Sequence, residues 1–236
     1  MSLPALSPPS LVLRTAILAV AAALAVSCSR PSPRETGSRE TGSSNETAVR
    51  PGETPQSVFQ AAQEAAAAYR WKEFCSYLTP RHRDALAASL CVAGRMLQKM
   101  ATMAEQAGDA KAVTQLSAHT EPILKVLQRH QVSFEAIDRL DPRLLAQREP
   151  PRELIEQIVA PVEDRNQFIA DMMETLLRIP GQRPFLAFSG KMIELEIDGE
   201  RATAVRLDRR AGQERREPLV FRKIDGEWRI ELPPQP

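Results

Sequence analysis

Residues 217 to 232 read EPLVFRKIDGEWRIEL, and this stretch decides the fold class. Apolar and polar side chains alternate on both sides of Asp225-Gly226, a dipeptide that strongly favours a two-residue hairpin turn. Such a turn places five apolar side chains on one face: Leu219, Phe221, Trp228, Ile230 and Leu232. The stretch therefore predicts the last two strands of an antiparallel sheet.

Two further segments with the same period of two, KMIELEI and ATAVRL, precede this hairpin and extend the prediction to an antiparallel meander over residues 181–236. An even turn between them would divide their apolar side chains between both faces. We therefore expect an odd loop with a bulge at Gly199. It would align six side chains: Ile193, Leu195, Ile197, Thr203, Val205 and Leu207.

Residues 54–180 show helical periodicity instead. Thr54-Pro55 and Thr79-Pro80 each combine an N-cap residue with proline at the first helical position, and Gly108-Asp109 interrupts the second of these helices. Further helices are predicted near 111–130 and 151–159 and within EDRNQFIADMMETLLRI. Helices followed by a curved antiparallel meander, on which they pack, predict a single α+β domain over residues 54–236.

Both ends of this domain resemble the nuclear transport factor 2-like superfamily. At the start, a helix leads through Trp71 to the Leu-Thr-Pro step at residues 78–80, and the last strand carries Asp-Gly-x-Trp-x-Ile at 225–230. The middle, from Ala88 to Gly181, is longer and more helical than the compact core of that superfamily. The resemblance implies a curved sheet with an open cone-shaped pocket, which this long insertion could fill or cap.

Folds of this kind carry isomerases, hydrolases and many non-catalytic modules. The resemblance implies that a catalytic member places an acid/base carboxylate and a Tyr or Asp in an apolar cavity. No motif assigns such a role here, so no catalytic residue is predicted. Asp171, Tyr69 and Tyr77 are the polar side chains to inspect, and helix surface and core packing explain them more simply.

The N-terminus has the order of a secretory signal, with Arg14 before the apolar run TAILAVAAALAV and then Ser27. Its 12 residues are fewer than the ~20 of a membrane-spanning helix. AVSC, at 25–28, resembles the bacterial lipobox, which implies cleavage after residue 27 and lipidation of Cys28. Ser29 is compatible with delivery to the outer membrane, facing the periplasm. An ordinary cleaved signal and an uncleaved anchor are the alternatives.

Residues 28–53 have almost no apolar side chains, which predicts a disordered tether between the lipid and the domain. The chain has 31 basic and 30 acidic residues, a balance that gives no sign of nucleic-acid binding. The expected partners are a membrane through the lipid anchor and, for the domain, a protein, an envelope polymer or a small apolar ligand.

Two cysteines remain when Cys28 is lipidated, and Cys75 and Cys91 lie on successive predicted helices. In an oxidising compartment this pair is a candidate disulfide. Two buried free thiols are the alternative that the sequence leaves open.

Four arginines gather at the tip of the hairpin RRAGQERRE: Arg209, Arg210, Arg215 and Arg216. A solvated turn is the simpler interpretation, and contact with an anionic envelope polymer or lipid headgroup is the functional one.

Neither metal nor cofactor is predicted. The histidines His82, His119 and His130 form no pair at ligand spacing. Six methionines have leucine neighbours at helical spacing and are expected to fill the core rather than bind a soft metal: Met96, Met100, Met103, Met172, Met173 and Met192. The sequence thus favours a lipid-anchored envelope protein with a non-catalytic binding domain, with an enzyme for a small apolar molecule and a polymer-contacting scaffold as alternatives.

Overall fold

The computed structural model describes residues 50, 52–139, 150–179, 188–210 and 213–231, without the side chains of Arg209, Arg210 and Gln213. The predicted signal segment, Cys28 and most of the predicted tether lie outside these residues. Within them, seven helices precede a four-stranded antiparallel sheet, so the predicted α+β class is confirmed.

The helices are α1 Pro55–Ala67, α2 Trp71–Ser76, α3 Pro80–Gln106, α4 Ala110–Arg129, α5 Phe134–Asp138, α6 Arg152–Val159 and α7 Arg165–Arg178. Thr54 accepts a hydrogen bond from the Ser57 N–H at 3.1 Å and Thr79 accepts one from the His82 N–H at 3.4 Å, so both are the predicted N-caps. Helix α3 ends before Gly108, whose φ is +69°. The start and stop signals of α1 and α3 therefore act as the sequence indicates.

Helix α7 is the centre of the helical layer, because α2, α3 and α4 all pack against it. Its buried face includes Phe168, Ile169 and Met172, each at most 2% exposed, as the periodicity predicts. Helices α3 and α4 approach each other closely at Gly94, where an added Cβ would lie 2.4 Å from Leu127 Cδ1. A glycine is needed there because the facing leucine occupies the position of a side chain.

The strands are β1 Lys191–Asp198, β2 Arg201–Arg210, β3 Gln213–Ile224 and β4 Glu227–Glu231, paired in chain order. The β3–β4 hairpin has the predicted register, with Phe221 opposite Ile230 and a two-residue turn at Asp225-Gly226. Both turn residues have positive φ, 53° and 86°. Leu219, Phe221, Trp228 and Ile230 are buried on one face, which we call the inner face; Leu232 lies outside the described residues.

The register predicted for the first hairpin is wrong. Asp198 pairs with Arg201, so the turn is the even one at Gly199-Glu200. The bulge lies inside β1 instead, at Glu194, where φ is +54° and the register shifts between Ile193 and Glu196. The prediction assumed that all the apolar side chains of this hairpin share one face. The strands instead carry half-buried side chains such as Val205 and Leu207 on the outer face.

The outer edge of β4 is closed by two segments from the start of the domain. The Trp228 N–H donates to the Gly52 carbonyl at 2.8 Å, and the Ile230 N–H donates to the Tyr77 carbonyl at 2.8 Å. The Thr79 N–H in turn donates to the Ile230 carbonyl at 2.9 Å. The last strand is thus hydrogen bonded to Gly52, which precedes α1, and to residues 77–79, which follow α2.

Candidate functional site

The inner face of the sheet changes from apolar to charged along β2. Ala202, Ala204, Arg206 and Asp208 alternate with outward-pointing residues and are all buried, at most 9% exposed. Two charged side chains inside a domain need partners, because burying an unpaired charge is strongly unfavourable. This end of the face is therefore the first candidate site.

Arg206 has two contacts that hold its guanidinium in place. It forms an ion pair with Glu217, which stands directly opposite on β3. The guanidinium carbon also lies 5.2 Å from the centroid of the Phe188 ring, a cation–π distance. Because the side chain is 11% exposed, this pair is screened only weakly by solvent.

Asp208 is 5% exposed and accepts a hydrogen bond from the Ser189 hydroxyl at 3.3 Å. Its register partner on β3 is Arg215, and Arg206 is its neighbour two residues away on the same face. These two arginines and the carboxylates of Asp208 and Glu217 form an inner-face charge cluster of two positive and two negative groups.

Aromatic rings occupy the space between this cluster and the helices. The Phe188 centroid lies 5.2 Å from that of Phe59 on α1 and 5.6 Å from that of Phe74 on α2, both in edge-on geometry. Trp71 extends the group, with its centroid 6.2 Å from Phe74. The rings therefore form a packed aromatic group that meets the inner face at Arg206.

Asp171, the carboxylate singled out in the sequence, lies on α7 and has three partners. Its carboxylate contacts His130 Nε2 at 2.9 Å, Arg129 at 3.1 Å and Gln167 at 2.8 Å. Burial acts to raise the pKa of Asp171, but hydrogen bonds from His130 and Gln167 and the attraction of His130 outweigh it, so the pKa lies below its usual 3.8. An anion held in this way is a poor general base at neutral pH.

The two tyrosines lie elsewhere. Tyr69 is 55% exposed, with its ring edge-on to Trp71 at a centroid distance of 6.0 Å. The Tyr77 hydroxyl donates to Glu73 at 3.2 Å, and burial together with this contact raises its pKa. Neither hydroxyl is hydrogen bonded to Asp171, so the contacts of these side chains do not assemble the acid/base pair that the enzyme hypothesis needs.

Cys75 and Cys91 are both buried, and the structure has each of them as a free thiol. Burial raises the pKa of each thiol to about 12. Because the thiolate is the reactive form, both side chains are unreactive in the folded domain.

Acidic residues stand beside or opposite arginines of the hairpin tip. Arg216 forms an ion pair with Glu194, the bulge residue of β1, while Arg215 stands opposite Asp208. Arg209 stands opposite Glu214, although its side chain and that of Arg210 lie outside the described atoms. Of the tip side chains that the structure describes, that of Arg216 is therefore paired within the sheet.

The expectation that all six methionines fill the core is only partly correct. Met172 and Met173 are buried, and Met100 and Met192 are half-buried against apolar clusters. Met96 and Met103 are 48% and 66% exposed. Sequence pattern alone could not show this, because α3 extends beyond the part of the domain that would cover its far end.

A groove between α4 and α7 has a volume of 190 Å³, below the ~300 Å³ of small-molecule pockets. In the part of the chain that the structure describes, no three His, Cys, Asp or Glu side chains are placed to hold a metal ion. No helix in this same part is long and apolar enough to cross a membrane.

The sequence interpretation missed the inner-face charge cluster, although a signal was present. In ATAVRLD, Arg206 and Asp208 have the same parity as Ala202 and Ala204, so a buried alanine face predicts that the charged pair faces inward too.

Comparison of the chain with known protein families, with curated proteins and with solved structures finds no match in any of the three.

Proposed function

We propose that this chain is a lipid-anchored protein of the bacterial envelope whose α+β domain is a non-catalytic binding or interaction module. The proposed localisation rests on three segments in order: a short apolar run, AVSC with Cys28, and a polar tether. Cys28 would carry the lipid, and the tether would hold the domain close to the membrane. The expected location is the outer membrane, with the domain on its periplasmic side.

The packing of the inner face carries the second half of the proposal. Phe59, Phe74 and Phe188 pack together beside the inner face of the sheet, and Arg206 next to them is paired with Glu217. A catalytic cavity would instead need a desolvated acid with room for a substrate. Binding on an outer surface of the domain is therefore the activity that this packing supports.

Metabolic labelling with an alkyne-bearing fatty acid in a bacterial host tests the anchor. The wild-type chain should incorporate the label and sediment with membranes, and Cys28→Ala should lose both properties because the acceptor thiol is gone. Cys75→Ala is the matched control and should keep the label. Undiminished labelling of Cys28→Ala would disprove the anchor.

Benzene binding tests the domain, because a dry apolar cavity of about 150 Å³ binds that molecule. The wild-type protein should not bind it, whereas Phe188→Ala, which removes the ring between α1, α2 and the sheet, should create a site. Saturable binding of benzene to the wild-type inner face would favour the rival proposal of an enzyme for small apolar molecules.

A further inference from the structure

A second, smaller apolar cluster lies where α3 and α4 connect. Ala104, Ala112 and Leu116 form an apolar cluster separate from the main core, with Met100 packed against it. On the same helix Met96 and Met103 remain 48% and 66% exposed. Fully burying a methionine side chain stabilises a protein by about 1.5–3 kcal/mol. Met96 and Met103 forgo much of this stabilisation because they are exposed, so core packing does not explain why methionine stands at these positions.

The three thioethers share one face of α3. Their positions i, i+4 and i+7 fall within about 60° of one another around the helix axis. Residues three or four apart have Cβ atoms about 5–6 Å from each other, and the unbranched methionine side chain has three rotatable bonds. The sulfur atoms of Met96 and Met103 can therefore both reach that of Met100.

Along this part of α3, no hard ligand shares the face of the three methionines. Between Ser89 and Ala107 the sole acidic residue is Glu105, which points about 200° away from Met103 around the helix. Lys99, the nearest cation in the helical projection, is held by Asp138 at 2.7 Å, and Arg95 is paired with the same carboxylate. The donor set is thus three neutral, soft sulfur atoms.

We propose that Met96, Met100 and Met103 form a surface site for a soft monovalent ion, Cu(I) or its analogue Ag(I). Thioether ligands select Cu(I), whereas Zn²⁺ and Ni²⁺ favour imidazole, thiolate or carboxylate. The ion binds as Cu(I), with no change of oxidation state. The site does not depend on lipidation of Cys28, so it stands or falls separately from the proposed anchor.

Thioethers also give the site a distinctive response to pH. Cysteine, histidine and carboxylate ligands must lose a proton before they bind, so metal affinity at such sites falls in acid. A thioether carries no proton to lose. Affinity at this site should therefore be the same at pH 5.0 and pH 7.5.

Competition with a chromogenic Cu(I) chelator under anaerobic conditions measures the affinity, using the full chain with Cys28→Ser so that this thiol cannot bind the ion. This protein should bind one Cu(I) per chain. Met96→Leu/Met100→Leu/Met103→Leu, which conserves side-chain volume, should bind at least 100-fold more weakly. Met192→Leu, a half-buried thioether on β1, is the control and should bind like the parent.

Equal Cu(I) affinity in the parent and the triple variant would overturn the proposal, as would a tenfold or greater loss between pH 7.5 and pH 5.0. Circular dichroism of each variant shows whether it is folded. If the triple variant unfolds, X-ray absorption of the Cu(I)-loaded parent decides the question. Three sulfur neighbours support the site, and nitrogen or oxygen neighbours refute it.

Discussion

Gly94 offers a test of how α3 packs against α4. We expect Gly94→Ala to lower the free energy of unfolding in the wild-type protein and to raise it when Leu127 is also truncated. Alanine at this position would place its Cβ 2.4 Å from Leu127 Cδ1 and 3.4 Å from Ile123 Cγ2. Both facing residues are buried, at 0% and 1% exposure, so the leucine has little space into which it can move. Gly94→Ala must therefore separate α3 from α4 or strain a buried side chain.

Two effects oppose each other in this substitution. Overpacking a core costs about 1–3 kcal/mol, while replacing a helical glycine by alanine gains about 1 kcal/mol. The net expectation is a destabilisation of about 1 kcal/mol, within a range of about 0–2 kcal/mol. Leu127→Ala alone should destabilise by about 2–5 kcal/mol, because it leaves a cavity.

The double variant distinguishes packing from propensity. Leu127→Ala removes the atom 2.4 Å from the new Cβ, so only the contact with Ile123 near 3.4 Å remains. Gly94→Ala should then stabilise the Leu127→Ala protein by up to about 1 kcal/mol. Urea unfolding followed by the fluorescence of Trp71 and Trp228, both buried, measures all four proteins. If Gly94→Ala destabilises both backgrounds equally, the contact with Leu127 is not the cause.

Three further predictions concern a carboxylate, the buried thiols and a strained glycine. Because the pKa of Asp171 is lowered in the folded state, its stabilisation is present above its usual pKa of 3.8 and is lost as pH falls through the folded value. Asp171→Asn should thus lower the free energy of unfolding at pH 7, and urea titrations should show the difference from wild type shrinking below about pH 4; a pH-independent difference would contradict this. Cys75 and Cys91, with pKa values raised to about 12, should resist a thiol reagent at pH 8 until the protein unfolds and should then react as two thiols. If the unreduced, denatured Cys28→Ser chain has no reactive thiol, the two cysteines form a disulfide instead. Gly190 has a φ of +105°, and an added Cβ would lie 2.2 Å from the Leu207 carbonyl oxygen, so Gly190→Ala should destabilise by about 2 kcal/mol or more in urea unfolding, and wild-type stability would refute this strain.

Local signals in the sequence were sufficient where a structural element depends on its own residues. Thr54 and Thr79 cap their helices through hydrogen bonds three residues away, and Asp225-Gly226 sets the register of β3 and β4 by turn geometry alone. Each of these signals lies within a few residues of the structure that it determines, which is why the helical starts and the last hairpin could be predicted.

The errors concern features that depend on distant parts of the chain. The bulge at Glu194 depends on which side chains of β1 meet the core, and the exposure of Met96 and Met103 depends on where the helical layer ends. Asp171 acquires His130 as a partner only because α4 and α7 pack together. Periodicity identifies the face that a residue occupies, but it does not show what covers that face.

The closure of β4 by the start of the domain has a consequence for folding. The Arg229 guanidinium also donates to the Ser76 carbonyl, a contact that spans 153 positions of the chain. Closing so long a loop is entropically unfavourable, and folds dominated by distant contacts form slowly. The flanks of α1 and α2 acquire these partners only when the final strand is present. The described domain can therefore close only after the strand Glu227–Glu231 is available to pair with these two segments.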